Sequence, residues 1–547
     1  MDRWLRSAVA VLGLTCSIGV GCSSAGESKP GPAGGSLDGS ADAELDAHSS
    51  DTGSGGGATD ASGETGANPS PEAGSDAGID ASQDAQGDAA PDASPDGPGP
   101  ESGSCTPVVP APDKDAWQMR LPSAGFGGIV TASSGGHNDV FLKSPTDYIR
   151  IGARLDWGGT VVFFGLTSNP QSNVIDANDT GRELQIALYD PTRAMQQCAW
   201  NASCQSSPST CGNSITFLGW DPVQGGDECG HGAPVLSYGQ VGDGLQVLVQ
   251  PLQWNPDWAK PDCTQSSCGA QGVPVQVQYR MVFRFVSEHV VEVETEVSSQ
   301  ESFSHPSTAQ EFPTLYVSHG GSVPDLPLLL DAAGQTVGLS TPGNDGFYYD
   351  NFTSPGPWVT WQNTASNYGV GIAMDQGVRD FQGWRGDGVT APYFHNVRAR
   401  VAFGLAAGGV VRGLSYLALG GFATVQSELE KALGKRPPFG TVDSPASGTT
   451  TTYTPGSPIQ VAGWALDTDP VAQVDIQVDG VSVAQLPVSG NRPDVCAVYP
   501  MYAGCPNVGF AGSVPTDGLS SCAHLLRVVA RDAQGNASVL GERLITP

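Results

Sequence analysis

The feature that most limits this chain is an 82-residue stretch, residues 23–104, built of Gly, Ala, Ser, Asp and Pro, with 16 Asp and Glu, one Lys and no aromatic residue. It can bury almost nothing, so the entropy of ordering it is not repaid, and it reads as a self-repelling spacer. Asp76, Asp80, Asp84, Asp88, Asp92 and Asp96 recur every four residues, but like charges at that spacing destabilise a helix and Gly and Pro interrupt it. About half of the chain's net charge of −31 lies here. The rest is mildly acidic, with no basic run, which argues against nucleic acid because nothing would replace the counterions released from a phosphate backbone. A core must therefore be sought from Cys105 onward.

There the composition turns to β-branched and aromatic residues between Gly, Asn, Asp and Pro. Residues 275–285 and 291–297 alternate apolar and polar with period two around Ser287-Glu288-His289, which predicts an antiparallel hairpin. Strands are also expected over 160–164, 244–249 and 397–403, and a helix over 424–433 before Gly434. Residues 438–452 read as a linker, and the runs 459–465, 474–478 (followed by Asp479-Gly480) and 525–530 as a small β-sandwich. The expected division is 1–22, 23–104, 105–437, 438–452 and 453–547, and the expected class is all-β: a large antiparallel β-sandwich followed by a small one.

At the amino terminus Arg3 and Arg6 precede the apolar run 7–20 and Gly19-Val20-Gly21-Cys22. The run is sized for a signal peptide, and no second apolar stretch is long enough to span a bilayer. Cys22 after small residues resembles the lipobox of bacterial lipoproteins, with Gly19 where Leu is more usual. That resemblance implies acylation of Cys22, membrane attachment through the lipid alone, and a place in the cell envelope, with Ser23 pointing to the outer membrane, at the surface or facing the periplasm. Ten further cysteines, including Cys198, Cys204, Cys211, Cys229, Cys263 and Cys268, then suit disulfides in an oxidising compartment. Their spacings are looser than the paired ligands of a zinc site, and His231 beside Cys229 does not alter that.

The stretch 173–185 with Tyr189-Asp190, then Trp220-Asp221-Pro222 to Asp227, Gln310-Glu311-Phe312-Pro313, Asn344-Asp345-Gly346-Phe347 and Phe381-Gln382-Gly383-Trp384, resembles a family of secreted bacterial proteins across roughly residues 115–435. That family looks like the β-supersandwich of galactose-mutarotase type, a fold that recurs in glycosidases and polysaccharide lyases. Gly463-Trp464-Ala-Leu-Asp467 and Asn491-Arg-Pro-Asp-Val495 resemble immunoglobulin-like modules of secreted bacterial proteins. No catalytic residues carry over with either resemblance.

Sugar chemistry needs an acid and a base or nucleophile flanking the glycosidic bond, with aromatic faces for the rings. Asp179, Asp227 and Glu311 are the acid/base candidates. Arg182 is a clamp for a substrate carboxylate, with Asp176, Trp220, Trp361 and Trp384 as further substrate contacts. Trp254 and Trp258 are other possible platforms. Against this, Asp179-Thr-Gly-Arg182 reads equally well as a capped turn with a structural ion pair, Glu292, Glu294 and Glu296 as a solvated strand face, and the tryptophans as core. Asp176-x-Asn178-x-Thr180 resembles the opening of a calcium loop, but Ala187 stands at the twelfth position where a bidentate glutamate is needed, so no catalytic metal or cofactor is expected and calcium only in a structural role. Gly-x-Ser-x-Gly, phosphate-loop and His-Glu-x-x-His patterns are absent. The expectation is a glycoside hydrolase or polysaccharide lyase acting on an extracellular polysaccharide. The alternatives are a lectin or adhesin that binds glycan without cleaving it, and a structural envelope protein.

Overall fold

The structure is a computed structural model and describes residues 105, 108–116, 121–178, 180, 183–190, 220–227, 229–254, 271–319, 324–342, 347–386 and 394–547. The expectations for the signal segment with Cys22, for the spacer, and for Asp179, Arg182, Trp258 and Asp345 lie outside these residues. The chain divides into two compact units.

The larger unit covers residues 122–433 and 498–501. Its strands are β1 (Ile129–Ser134), β2 (His137–Lys143), β3 (Ile149–Arg154), β4 (Thr160–Leu166), β5 (Leu184–Ala187), β6 (Pro222–Val223) and β7 (Val235–Val241). There follow β8 (Gly244–Val249), β9 (Leu252–Gln253), β10 (Val277–Phe285), β11 (Val290–Ser299), β12 (His305–Ser318), β13 (Leu328–Asp331) and β14 (Thr341–Pro342). The unit ends with β15 (Phe347–Thr353), β16 (Trp358–Gln362), β17 (Gly369–Met374), β18 (Asp380–Gly386), β19 (Phe394–Ala399), β20 (Val401–Leu405), β21 (Val410–Leu419) and helix α1 (Phe422–Leu433). One sheet runs β1-β2-β3-β4-β5-β12-β19-β18-β15-β14, with β6, β9 and β20 at its margins; the other runs β13-β16-β17-β21-β11-β10-β8-β7.

The two sheets face each other across one core. Val140, Ile151, Phe164, Leu184, Leu315, Val397 and Phe381 of the first meet Leu245, Phe283, Val293, Leu417, Ile372 and Trp361 of the second. Removing each such side chain from water contributes about 1.5–3 kcal/mol. The alternation in 275–285 and 291–297 forms the β10–β11 hairpin, with Phe285 opposite Val291 and Val277 opposite Ser299. The solvated face expected for Glu292, Glu294 and Glu296 is corrected. Glu292 and Glu294 are buried, because β11 is an interior strand between β10 and β21 and α1 packs on the same sheet. Arg284 pairs with Glu292 at 2.6 Å, Arg280 with Glu294 at 2.5 Å and Arg412 with Glu296 at 2.7 Å.

The smaller unit comprises residues 434–497 and 502–547 with the described residues of 105–121. Its elements are β22 (Phe439–Ser444), β23 (Thr451–Thr452), β24 (Ile459–Leu466), β25 (Gln473–Val478), β26 (Val481–Leu486), β27 (Val488–Gly490), helix α2 (Pro493–Val498), β28 (Gly509–Val514), β29 (His524–Arg531) and β30 (Ala537–Thr546). They form the sheets β22-β24-β28-β27 and β23-β30-β29-β25-β26. Asp479 and Gly480, at φ 52° and 83°, make the tight turn between β25 and β26. Two boundaries differ from expectation. Residues 439–444 are a strand rather than linker, since Phe439 and Val442 are buried and the strand pairs with β24. The described residues of 105–121 belong with the smaller unit: Cys105 is disulfide-bonded to Cys522, and Asp113 receives Arg543 at 2.6 Å. A second disulfide joins Cys496 to Cys505. The chain is all-β, as expected.

Candidate functional site

The larger sheet has a second face, turned away from the core. Because side chains alternate along a strand, Leu184, Leu315 and Val397 enter the core while their neighbours Gln185, Thr314 and Arg398 point the other way. Thr314 sits opposite both Gln185 and Arg398, and Arg398 opposite Gln382, which makes one polar row across β5, β12, β19 and β18. Arg398 donates from Nε and Nη2 to Gln382 Oε1 at 2.9 and 2.6 Å. Two residues along, Tyr316 lies opposite Asn396, Asn396 opposite Trp384, and Trp384 opposite Tyr349. Tyr316, Trp384 and Phe394 form an aromatic cluster separate from the main core, and the Arg398 guanidinium lies 5.4 Å from the Trp384 ring centre.

Three atoms in these rows stand out. Gln185 Oε1, Thr314 Oγ1 and Asn396 Oδ1 are buried and have no hydrogen-bond partner among the described residues; their residues are 3%, 0% and 4% exposed. Buried polar atoms are nearly always satisfied, so three orphans on adjacent strands make this face the candidate for binding polar groups.

Carboxylates border this face. On β12 four residues, Glu311 to Thr314, match only three on β5, since Glu311 is opposite Ala187 and Thr314 opposite Gln185. This bulge keeps Glu311 and Thr314 on one side while Phe312 turns into the core. At Tyr316 the backbone N–H donates to the Glu183 carbonyl (3.1 Å) and the carbonyl accepts the Asp176 N–H (3.2 Å). Both acids are buried, at 0% and 1% exposure, and Asp176 Oδ1 takes the Asn178 side-chain amide. Of the residues singled out from sequence, Trp384 lies in these rows, Asp176 is tied to the Tyr316 backbone, and Glu311 lies further along β12. Glu183, Gln185, Thr314, Tyr316, Asn396 and Arg398 were not singled out. Glu183 and Gln185 do end the 173–185 stretch, and the parity of β5 is the signal that would have found them.

The other candidates sit elsewhere. Asp227 organises a tight loop: Oδ1 accepts the N–H groups of Cys229 (3.0 Å) and His231 (2.9 Å), and Oδ2 lies 2.7 Å from His231 Nδ1. Thr180 Oγ1 approaches the Asp227 carbonyl at 3.5 Å, which draws the two loops together. Asp227, Cys229 and His231 have the spacing of a metal triad, but Cys229 is disulfide-bonded and offers no thiolate. Trp361 belongs to the main core and stacks on His395 at 4.7 Å, so it offers no face to a sugar. Burial, together with the charges of His319 and Arg385, lowers the His395 pKa to about 2, and this imidazole stays neutral.

Trp220 is also corrected from platform to core. It is 1% exposed and stacks on His305 at 3.6 Å, and its Nε1 donates to Glu301 at 3.0 Å. His305 bridges two acids, with Nδ1 2.7 Å from Asp190 and Nε2 2.7 Å from Glu301. Burial alone would lower its pKa, but the hydrogen bonds to Asp190 and Glu301 outweigh that and hold it above the ordinary value. Beside this cluster, Tyr279 donates to the Pro222 carbonyl at 2.7 Å; burial and the nearby charges of Asp221 and Glu301 push its hydroxyl well above its usual pKa.

No protein-family model and no curated protein matches the chain. Solved structures similar to it include a protein from Synechocystis sp. PCC 6803 (10% identity, 55% of this chain and 99% of that one, TM-score 0.31). A putative aldose 1-epimerase from Klebsiella pneumoniae is another (12% identity, 56% and 87%, TM-score 0.32). A polysaccharide lyase is a third (8% identity, 73% and 46%, TM-score 0.27). At these scores none of them carries a residue or an activity to this chain.

Proposed function

We propose that the larger unit is a carbohydrate-active module working on an extracellular polysaccharide through the outward face of its larger sheet. In the same reading the whole chain is an envelope lipoprotein anchored at Cys22, with residues 23–104 as tether and the smaller sandwich as accessory. The observation that carries the site is the trio of unpartnered, buried oxygens of Gln185, Thr314 and Asn396 beside Tyr316 and Trp384. Sugar hydroxyls can donate to each of them. Glu311 is the acid/base group on that face, with Glu183 or Asp176 as the second carboxylate that a glycoside hydrolase or polysaccharide lyase requires. Asp179 and Arg182, which follow Asp176 in sequence, complete the proposed set, Arg182 as clamp for a uronate. Asp227 shapes the adjoining loop.

The test is release of reducing or unsaturated ends from a panel of polysaccharides by the fragment 105–547. Loss of release in Glu311→Gln with the fold intact supports the enzyme. Binding that needs Trp384 but yields no product makes the module a lectin. No binding by any member of the panel removes the reading.

A further inference from the structure

A separate hollow of about 510 Å³ opens in the larger unit, lined by Ser133, Asn138, Asp139, Leu155, Asp156 and Tyr238 among others. It lies at the sheet margins, because β1 and β7 are the end strands of their sheets. Its walls are fixed. Arg154 holds Asp139 through two bonds of 2.8 and 3.1 Å, and the same guanidinium lies 4.5 Å from the Trp157 ring centre. Asp156 Oδ1 accepts the Asn138 N–H at 2.9 Å and Oδ2 lies 2.6 Å from His137 Nδ1. Burial opposes ionisation of Asp156, but the hydrogen bonds from Asn138 and His137 prevail and keep its pKa below the ordinary range.

Over these polar walls stands Tyr238, 48% exposed. An ionised carboxylate, an amide, a hydroxyl and an accessible aromatic ring converge in a volume typical of small-ligand sites. Among the described residues no Lys or Arg lines the hollow, and the Arg154 guanidinium behind it is paired with Asp139, so a uronate or phosphate would meet negative charge. We infer that this hollow is a second glycan subsite that takes one or two uncharged sugar units. It rests on the carbohydrate reading above and adds to it the neutral class of the bound unit. Asp139 on β2 is four strand spacings from β12, about 19 Å at the usual interstrand distance. A polymer engaging both places therefore gains by linkage, which short oligosaccharides do not.

Calorimetry with the protein from Cys22 onward compares neutral glucans and galactans, their trisaccharides, and pectate and alginate, for the wild type, Tyr238→Ala, Asp156→Asn and Trp384→Ala. Tyr238→Ala and Asp156→Asn are each expected to weaken a neutral polymer tenfold or more, and Trp384→Ala to keep a neutral trisaccharide site that Tyr238→Ala removes. If both hollow variants stay within twofold of wild type on every neutral ligand while Trp384→Ala loses binding, the subsite is overturned and the larger-sheet reading stands. Uronate binding lost in Tyr238→Ala overturns the neutral class. No binding by the wild type overturns both.

Discussion

Replacing His305 by asparagine probes the most demanding charge arrangement in the larger unit. Asp190 and Glu301 have side chains 1% and 7% exposed and share the imidazole at 2.7 Å on either side. A neutral, shorter residue removes the cation between two buried carboxylates and the ring under Trp220. Breaking a buried pair in this way costs about 3–5 kcal/mol. The pH dependence has a definite sign. Since the folded-state pKa of His305 is raised, its stabilisation is complete below the unfolded value of about 6.5. It is lost as pH climbs through the folded value, at up to about 1.4 kcal/mol per pH unit. His395, held neutral in the fold, has the opposite sense and costs stability as pH falls below about 6.5. The informative quantity is therefore the difference in urea-unfolding free energy between wild type and His305→Asn, measured from pH 5.5 to 9. It should be large at pH 6 and shrink as pH rises. A difference under about 1 kcal/mol at pH 6, or one that grows with pH, would refute the bridged-imidazolium account.

Two further outcomes follow from packing. Arg284→Met strips the cation from Glu292, whose side chain is 1% exposed, and should cost about 3–5 kcal/mol in urea unfolding, most of it recovered in Arg284→Met with Glu292→Leu; a double variant as unstable as the single one would contradict this. Gly371→Ala places a methyl against Val425 Cγ1, with Leu429 Cδ1 at 3.1 Å, and should cost about 1–3 kcal/mol. Hydrogen exchange should show α1 opening at lower free energy while the β10–β11 hairpin keeps its protection.

Local patterns foretold local structure. The alternation of 275–285 and 291–297 became β10 and β11, and the 424–433 periodicity became α1, two residues longer at its start. The run 397–403 proved to be two strands parted at Arg400, both facing the long β12, because that partner bulges. Such a break depends on a partner some eighty residues away and leaves no mark in the run itself. The same holds for the site. Thr314, Asn396 and Arg398 gain meaning only when three distant strands come into register, and His305 meets Asp190 across 115 positions. Glu292 and Glu294 looked solvated because alternation reveals which residues share a face, while what covers that face is decided by the rest of the chain.

The bond from Cys105 to Cys522 also has a mechanical consequence. Any pull arriving along the preceding chain is handed covalently to the segment leading into β29, with Asp113 and Arg543 as a second grip on β30. Tension then enters the smaller unit in the middle of its fold rather than peeling β1 from the rim of the larger sheet, and reducing conditions would move the point of attack.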